Sequence, residues 1–247
     1  MFSARPLPKN FLLLSLAVLV VVLNNNLSGF SSSFAAEDLV LKENAEALQF
    51  SVNEGSWVSV SLLPDGDSFF FDLLGDIYHL NIEGGIAEPI TAGMGFDSQP
   101  VVSPNGEKIA FISDRDGRDN LWIANVDGSD PLKLSNETYA YLISPTWSPD
   151  GQNIIVTKRT REIELVQYHI EGGTGVVITQ HDEDNAAKKS PGVGATFSPD
   201  GKYIYFAERL GGPDAPTDEF PVTQIVRLDP NSGARIQITR GEGGGVR

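Results

Sequence analysis

The sequence has no cysteine and only three histidines among its 247 residues. Without cysteine the chain can form no disulfide framework, thiolate metal site, catalytic thiol or lipid-modified N-terminal cysteine. After residue 40 it also lacks any stretch in which apolar residues recur at helical spacing, so a helical domain is not expected. The composition, with 40% hydrophobic and 21% charged residues, is that of an ordinary globular protein with a sizeable core.

Positive charge is scarce as well. The 18 Lys and Arg residues are outnumbered by 33 Asp and Glu residues, which leaves a formal charge of −15. Arg5 and Lys9 are the only charged residues among the first 35, so the remainder, with 16 basic and 33 acidic residues, carries −17. Such a surface repels phosphate backbones, which argues against nucleic-acid binding, and it favours solubility.

The N-terminus has the pattern of an export signal. Arg5 and Lys9 precede Phe11–Leu23, thirteen residues that are apolar apart from one serine. This run has the length of a signal-peptide core and is short for a membrane span of about 20 residues. Small residues permit cleavage before Ala36, while the long gap before that point leaves an uncleaved membrane anchor as the alternative. We therefore predict an exported protein, periplasmic or extracytoplasmic, with a signal peptide or anchor helix at 1–35.

Four short segments of similar sequence recur along the rest of the chain. Each has a proline, then Asp or Asn, then glycine, and the prolines are 40, 45 and 50 residues apart. Proline presets φ, Asp or Asn bonds its own backbone, and glycine accepts positive φ, so each segment predicts a tight turn between antiparallel strands. The four segments are Leu63-Pro64-Asp65-Gly66, Ser103-Pro104-Asn105-Gly106, Ser148-Pro149-Asp150-Gly151 and Ser198-Pro199-Asp200-Gly201.

Each turn is followed by two strand-like runs separated by a short connection, then by a polar or glycine turn and an aliphatic–hydroxyl pair. The first runs are Ser68–Asp72, Lys108–Ser113, Asn153–Lys158 and Tyr203–Ala207. The second runs are Ile77–Ile82, Leu121–Val126, Leu165–Ile170 and Gln224–Leu228. The closing pairs are Ile90-Thr91, Leu134-Ser135, Ile178-Thr179 and Ile238-Thr239. Four short strands in about 40–50 residues are typical of a β-propeller blade, which must stack on neighbours to bury its faces.

We therefore predict an all-β fold of four four-stranded propeller blades, preceded by the N-terminal signal or anchor helix and a linker at 36–47. The propeller would occupy 48–247. Its blades would lie at about 53–92, 93–136, 137–180 and 181–240, with the start of a further blade at 241–247.

The residues before the first turn are similar to the end of the chain. Leu48–Gly55 lines up with Ile236–Gly243, and both have the pattern of an outer strand followed by the lead into another blade. The fourth blade already has an outer strand, so the N-terminal strand needs a further blade. We expect an incomplete ring, with that blade encoded beyond Arg247. The alternative is a complete four-blade protein with a superfluous strand and an open sheet edge.

The cleanest copy of the repeat, residues 108–129, follows Ser103–Gly106 and contains Ile-Ala-Phe-Ile-Ser-Asp-Arg and Asn-Leu-Trp-Ile-Ala-Asn-Val-Asp-Gly-Ser. It resembles the repeat of TolB-like propellers. This resemblance covers the chain from Leu48 to Arg247, apart from an insertion at Gly211–Val222.

Within that group, four linking stretches look like those of the N-terminal propeller of exported proteins fused to a metal-dependent amidohydrolase domain. They are Asn53–Trp57, Phe71–Tyr78, Phe96–Pro100 and Gly241–Arg247. The resemblance implies a substrate-screening or docking segment of a longer hydrolase. It places the metal ligands in the downstream domain, and no catalytic residue of that family can be carried over to this chain.

The histidines and acids give little indication of a metal site. His79 and His169 lie at nearby positions of equivalent strands, where a blade-facing or solvent-facing histidine is ordinary. His181–Asn185 combines oxygen ligands suited to calcium, but a solvated charge run in an inter-blade loop is the favoured interpretation. An acidic cluster around a glycine lacks the spacing and the terminal Glu of a calcium loop. That cluster consists of Asp114, Asp116 and Asp119.

Patterns for nucleophilic or phosphate chemistry are also lacking. No Gly-x-Ser-x-Gly elbow occurs, and the glycine-rich Gly241–Gly245 lacks the Lys and Ser or Thr of a phosphate-binding loop. We predict that this chain has no catalytic, cofactor-binding or metal-binding residue and no enzyme activity of its own.

Three arginines occupy related positions, ten or eleven residues after their prolines: Arg115, Arg159 and Arg209. In a ring they could form a positive collar at one rim or at the central channel. The favoured alternative is that they form salt bridges with neighbouring acids. The candidate partners are Asp114, Glu162 and Glu208.

Two functions therefore remain open. The first is a non-catalytic exported propeller that screens or docks substrate for a downstream amidohydrolase-type domain. The second is a TolB-like periplasmic scaffold that binds protein partners through its loops. The expected partner is a protein or a downstream hydrolase domain, and membrane contact is expected only through an uncleaved N-terminal segment.

Overall fold

The computed structural model describes residues 51–161, 163–179, 192–209 and 223–239. Within these ranges, sixteen strands form four antiparallel sheets of four strands each, and every sheet is built from strands that are consecutive in the chain. The prediction of an all-β fold made of four four-stranded units is confirmed. The predicted N-terminal helix, the first three residues of the segment Leu48–Gly55, and the predicted start of a further blade at 241–247 lie outside the described residues.

Each sheet is called a blade and is numbered in chain order. Blade 1 consists of β1 (Val60–Leu62), β2 (Ser68–Leu73), β3 (Asp76–Asn81) and β4 (Glu88–Pro89). Blade 2 consists of β5 (Asp97–Val102), β6 (Lys108–Ser113), β7 (Asn120–Asn125) and β8 (Leu132–Lys133). Blade 3 consists of β9 (Tyr141–Trp147), β10 (Asn153–Arg159), β11 (Ile163–His169) and β12 (Val176–Val177). Blade 4 consists of β13 (Gly192–Phe197), β14 (Ile204–Arg209), β15 (Thr223–Leu228) and β16 (Arg235–Gln237).

The Pro-Asp/Asn-Gly segments form the hairpins between the first and second strands. The glycine N–H of each turn donates to the carbonyl of the residue before the proline, at 2.9–3.0 Å. The four glycines have φ between 70° and 79°, a region that glycine enters without steric cost. In blades 2 to 4 the serine before the proline also accepts the N–H of the residue five positions later, at 2.9 Å. These bonds set where each second strand begins.

The aliphatic–hydroxyl pairs close the blades. The hydroxyl oxygen of each pair accepts a backbone N–H at the start of the third strand, at 2.8–3.0 Å in every blade. The fourth strands are only two or three residues long, so this bond supplements a short ladder. The accepting side chains are Thr91, Ser135, Thr179 and Thr239.

The hydrophobic core lies between neighbouring blades. Three clusters of buried residues span blades 1 and 2, blades 2 and 3, and blades 3 and 4. The innermost strands contact one another in sequence, β1 with β5, β5 with β9, and β9 with β13. Within the described residues, blades 1 and 4 do not pack against each other, so the four blades form an open arc. Completion of the ring by a further blade remains a prediction.

In the described part of the chain, no helix has the length and hydrophobicity needed to cross a membrane.

Candidate functional site

The two ends of the blades have different chemistry. One end, the turn face, is formed by the Pro-Asp/Asn-Gly hairpins and the connections between third and fourth strands. The opposite end, the aromatic face, is formed by the connections between second and third strands and by the connections between blades. Antiparallel strands place these two sets of connections at opposite ends of every blade.

The aromatic face carries large apolar side chains in solvent. Trp57 is fully exposed and Tyr139 is 86% exposed. Aromatic residues and methionine are the residue types enriched in protein–protein interfaces, where they supply much of the binding energy. This face therefore has the composition of a binding surface. Its exposed side chains are Trp57, Leu74, Met94, Phe96, Tyr139 and Tyr141.

Phe96 is held in place by the loops on either side of it. Its backbone N–H donates to Oδ1 of Asp114 at 2.6 Å, and Asp114 directly follows β6 of blade 2. Its ring lies against Gly75, where an added Cβ would come within 3.1 Å of Phe96 Cδ2. Gly75 has a φ of 94° and its carbonyl accepts the N–H of Asp97. The tight turn in blade 1 thus leaves space for the ring, and Phe96 is positioned while 59% exposed.

A buried ion pair lies beneath this part of the face. Arg115 Nη2 donates to both carboxylate oxygens of Asp97 at 2.7 and 2.8 Å, and Asp97 is only 2% exposed. The guanidinium also lies over the rings of Phe111 and Trp122, at 5.1 and 5.0 Å from their centroids. Two hydrogen bonds on one carboxylate and two aromatic contacts compensate for the desolvation of both charges.

Burial, with a smaller effect of neighbouring charges, raises the pKa of three side chains near this face. The pKa of Asp76 is raised by burial and, to a smaller extent, by the Asp97 carboxylate. The pKa of Tyr78 is raised by burial and then by Asp76. Burial also raises the pKa of Asp119, as does Asp114. The aromatic face therefore combines exposed rings with partly desolvated acids.

The connection between blades 2 and 3 is held by a polar network. Glu137 accepts from Lys158 Nζ at 2.9 Å and from Tyr168 Oη at 3.0 Å. Its backbone N–H donates to the buried amide oxygen of Asn120 at 2.7 Å. Burial, followed by the Glu137 charge, raises the pKa of the Tyr168 phenol. These contacts fix the loop that presents Tyr139 to solvent.

The innermost strands of blades 2 to 4 share a bulge whose N–H is bonded to a side chain. Gln99, Ser144 and Gly194 have φ of 55°, 55° and 64° at this position. The Gln99 N–H donates to Asp72 of blade 1, and the Ser144 N–H donates to the Gln99 side chain of blade 2, both at 2.7 Å. The Gly194 N–H donates to Thr157 of blade 3 at 3.0 Å. Each inner strand is therefore tied to the blade before it.

Carboxylates on the turn face serve mainly to close the turns. The Ser198 hydroxyl, followed by Lys202, lowers the pKa of Asp200 to about 2. The Ser148 hydroxyl, followed by the Gln152 N–H, likewise lowers the pKa of Asp150. Because these acids are stabilised as anions by their own loops, they are poor candidates for general acid–base groups at neutral pH.

An open groove of about 540 Å³ lies on the turn face between blades 3 and 4. Its walls include Pro149, Asp150, Pro199, Asp200 and Pro230. The groove is therefore the space between two adjacent hairpins. Both of its aspartates accept hydrogen bonds from serines of their own turns.

The predicted histidine and aspartate candidates lie in ordinary structural settings. The His79 ring packs against Phe70 at 5.0 Å, and the exposed His169 accepts the Glu171 N–H on the turn face. Asp116 accepts from Lys133 Nζ at 2.6 Å. In the described residues, no three His, Asp or Glu side chains form a group that could hold a metal ion. The acidic run at 181–185 lies outside them.

Of the three arginines of the predicted collar, the structure describes the side chains of Arg115 and Arg159. Arg115 forms a salt bridge, as the favoured alternative proposed, and it does so with Asp97, which was not among the predicted partners. Arg159 is exposed at the end of β10, and its candidate partner Glu162 lies outside the described residues. Glu208, the candidate partner of Arg209, accepts from Arg235 Nη2 at 2.6 Å. Asp97 and Arg235 come from other strands of their blades, which is why sequence spacing did not identify them.

Sequence reasoning also did not identify the exposed side chains of the aromatic face. A signal was present for three of them, because Trp57, Leu74 and Phe96 lie in stretches that were singled out by resemblance. All three lie outside the strands, where a large apolar residue is not needed for the core of a blade.

Comparison with known proteins gives a family match over most of the chain. The model for the TolB beta propeller domain matches residues 41–242. The Tol-Pal system protein TolB of Francisella tularensis is 32% identical over 166 residues, covering 47% of this chain and 38% of that protein. An uncharacterized peptidase, YuxL of Bacillus subtilis, is 28% identical over 172 residues, covering 54% of this chain and 25% of that protein.

Solved structures agree on the fold. The crystal structure of TolB from Acinetobacter baumannii superposes with a TM-score of 0.56 at 20% identity, covering 74% of this chain and 43% of that one. The chain spans half the length or less of the curated relatives that it matches.

Proposed function

Because the chain belongs to the TolB β-propeller family, we propose that it is a non-catalytic propeller segment that binds protein through its aromatic face. The observation that carries this proposal is the set of six large apolar side chains exposed on one end of the blades. At the opposite end, the carboxylates of Asp127, Asp150 and Asp200 are bonded within their own turns. An interface needs exposed anchors held by a rigid frame, and Phe96 and Tyr139 are presented in this way.

The first candidate function is docking or substrate screening for a hydrolase domain. A relative named as a peptidase matches over only 25% of its own length, so most of that protein lies outside the matched segment. In this arrangement the aromatic face would contact the hydrolase domain or its polypeptide substrate. The association with an amidohydrolase in particular stays a prediction from the linking stretches of the sequence.

The second candidate is a TolB-like scaffold that binds a separate protein. It is favoured by the 32% identity to a Tol-Pal system protein. In both cases the basic and apolar N-terminal segment supports export from the cytoplasm, and binding would take place in the periplasm or another extracytoplasmic space.

Site-specific photo-crosslinking in the producing cell tests the proposal. A photoreactive phenylalanine analogue replaces Tyr139 or Trp57, and as the matched control it replaces Ile86, which is 93% exposed on the turn face. We expect protein adducts from Tyr139 and Trp57 at several times the yield from Ile86. Mass spectrometry of the adducts separates the two candidates, since a hydrolase domain supports the first and another protein supports the second. Equal yields from the two faces would exclude the aromatic face as the binding surface.

A hydrolysis assay tests the non-catalytic part of the proposal. Purified chain is incubated with amide and peptide substrates, with Zn²⁺ added and with chelator. We expect no turnover above the buffer rate in either condition. Metal-dependent turnover that copurifies with the chain would contradict the proposal.

A further inference from the structure

One of the four hairpins on the turn face differs from the others at the residue before the turn glycine. Blades 1, 3 and 4 have aspartate there, whereas blade 2 has Asn105, which precedes Gly106. This is the only Asn-Gly pair in the sequence. An asparagine amide is open to attack by the backbone nitrogen of the next residue, and glycine obstructs that attack least because it has no Cβ. The hairpin of blade 2 therefore contains the pair of residues that most favours deamidation.

The exposed Asn105 side chain is bonded within its own hairpin. Its Oδ1 accepts from Ser103 Oγ at 2.7 Å and from the Glu107 N–H at 3.2 Å. Its Nδ2 donates to Glu107 Oε2 at 2.8 Å. The N–H of Gly106, whose nitrogen would attack, donates to the Ser103 carbonyl at 2.9 Å. Both the attacking nitrogen and the leaving nitrogen are therefore hydrogen-bonded while the hairpin is closed.

The closed hairpin restrains the reaction. The attacking species is the deprotonated nitrogen of Gly106, and its proton is not accessible to solvent base while it is donated to Ser103. Gly106 is also packed against the preceding blade, since a Cβ built on it would lie 3.3 Å from Cδ of Pro64. Deamidation thus requires the same local opening that exchange of the Gly106 amide proton requires.

An aspartate at position 105 would fit the hydrogen bonds that this hairpin already contains. In blades 3 and 4, Oδ1 of Asp150 and Oδ1 of Asp200 accept the equivalent serine hydroxyl and the N–H two residues further on. A carboxylate formed from Asn105 can accept the same two bonds, and it loses only the Nδ2 contact with the exposed Glu107. The hairpin can therefore close again over the product.

We propose that Asn105 is a deamidation site of this protein, converted to aspartate through transient opening of the blade 2 hairpin. The deprotonated Gly106 nitrogen bonds to Cγ of Asn105, and the side-chain nitrogen takes up a proton and leaves as ammonia, which produces a cyclic imide. Water then breaks the bond between Cγ and the Gly106 nitrogen, which gives aspartate and restores the N–H. Water that breaks the other imide bond gives isoaspartate, whose backbone is one carbon longer and does not match the turn.

Peptide mapping by mass spectrometry of the purified full chain tests the site. Folded chain and chain unfolded in guanidinium chloride are incubated at the same mildly alkaline pH, and each asparagine is scored over time for conversion to an acid. We expect Asn105 to convert in both samples, about 10- to 100-fold more slowly in the folded chain, because the Gly106 and Nδ2 hydrogen bonds must first be broken. Asn231, which is exposed in another turn and is followed by serine, is the matched control and should convert more slowly than Asn105 in the unfolded chain.

Ser103→Ala tests whether opening of the hairpin sets the rate. The substitution removes the hydroxyl that bonds both Asn105 Oδ1 and the Lys108 N–H. We expect faster conversion of Asn105 and faster hydrogen exchange of the Gly106 amide in the folded variant, by the same factor, with no change of rate in the unfolded variant. An effect of equal size in the unfolded variant would assign the change to intrinsic chemistry and would contradict control by the hairpin.

Asn105→Asp represents the product. It should unfold at nearly the same urea concentration as the unmodified chain, and a large loss of stability would show that the hairpin does not close over aspartate. Equal rates of conversion in folded and unfolded chain would overturn the proposal. So would the absence of conversion in the folded chain after about a hundred half-lives of Asn105 in the unfolded chain.

Discussion

At the residue scale, this acidic protein uses its carboxylates in two opposite ways. On the turn face Asp150 and Asp200 are stabilised as anions by serine hydroxyls and backbone N–H groups, which lowers their pKa. Near the aromatic face Asp76 is desolvated beside Asp97, which raises its pKa. Identical side chains therefore have opposite effects on stability at neutral pH, because one set gains hydrogen bonds on folding and the other loses water.

The raised pKa of Asp76 leads to a pH-dependent prediction. Because its pKa in the folded chain lies above the ordinary value of 3.8, folding favours the protonated form. The resulting stabilisation is complete below pH 3.8 and is lost as the pH rises through the raised pKa. Asp76→Asn should therefore increase the free energy of unfolding at pH 7, with no gain near pH 3. Urea unfolding at the two pH values measures this.

Asp200→Asn is the control with the opposite sign. Its pKa is lowered, so the ionised form stabilises the fold above pH 3.8 and this contribution is lost as the pH falls through about 2. The substitution should lower stability at pH 7. Loss of stability at pH 7 in Asp76→Asn would show that its carboxylate is needed as an anion.

At the element scale, the fourth strand of each blade is very short. One side-chain hydroxyl per blade supplements its pairing with the third strand. Thr91 is 1% exposed and its Oγ1 accepts the N–H of the buried Ile77 at 2.9 Å. The same bond recurs in all four blades, with serine at one of the positions. The recurrence indicates that the hydroxyl, and not the side-chain methyl group, is the shared requirement.

Thr91→Val should cost about 1–3 kcal/mol of unfolding free energy, because it leaves the Ile77 N–H buried without an acceptor. Hydrogen exchange of the Ile77 amide should become faster in the same variant. Thr91→Ser keeps the hydroxyl and should retain most of the stability, as Ser135 does in blade 2. Equal losses in the two variants would assign the effect to packing of the methyl group.

At the scale of the whole molecule, stability comes from contacts between blades. The three buried clusters each join two blades, and side chains of one blade accept the bulge N–H of the next. A blade is therefore stabilised mainly by its neighbours, as expected for a repeat fold.

Two equivalent positions test this dependence. Leu165→Ala removes a fully buried side chain between blades 3 and 4 and should cost about 2–5 kcal/mol. Ile225→Ala removes the corresponding side chain of blade 4, which is 44% exposed, and should cost less than half as much. Urea unfolding followed by tryptophan fluorescence gives both values. Similar costs would mean that Ile225 is covered by other residues of the same chain.

Local sequence determined the turns, the strands and the closing hydroxyls. A Pro-Asp/Asn-Gly turn depends on four consecutive residues, and the alternation pattern of a strand depends on six. Both can therefore be predicted from the sequence without knowledge of the fold. The second strand of blade 2 was predicted at its observed bounds, Lys108–Ser113, and the one in blade 4 begins at Ile204, one residue later than predicted. Strand ends shift by a residue because they depend on the partner strand.

Only the tertiary structure decided which side chains meet between strands and which remain exposed. Asp97 and Arg115 are 18 residues apart and come together because β5 and β6 pair in one register, which spacing along the chain could not indicate. The aromatic face and the two open ends of the arc likewise appear only when the blades are stacked. Isolated apolar residues look alike in sequence whether a neighbouring blade covers them or not, and burial is a property of the assembled blades.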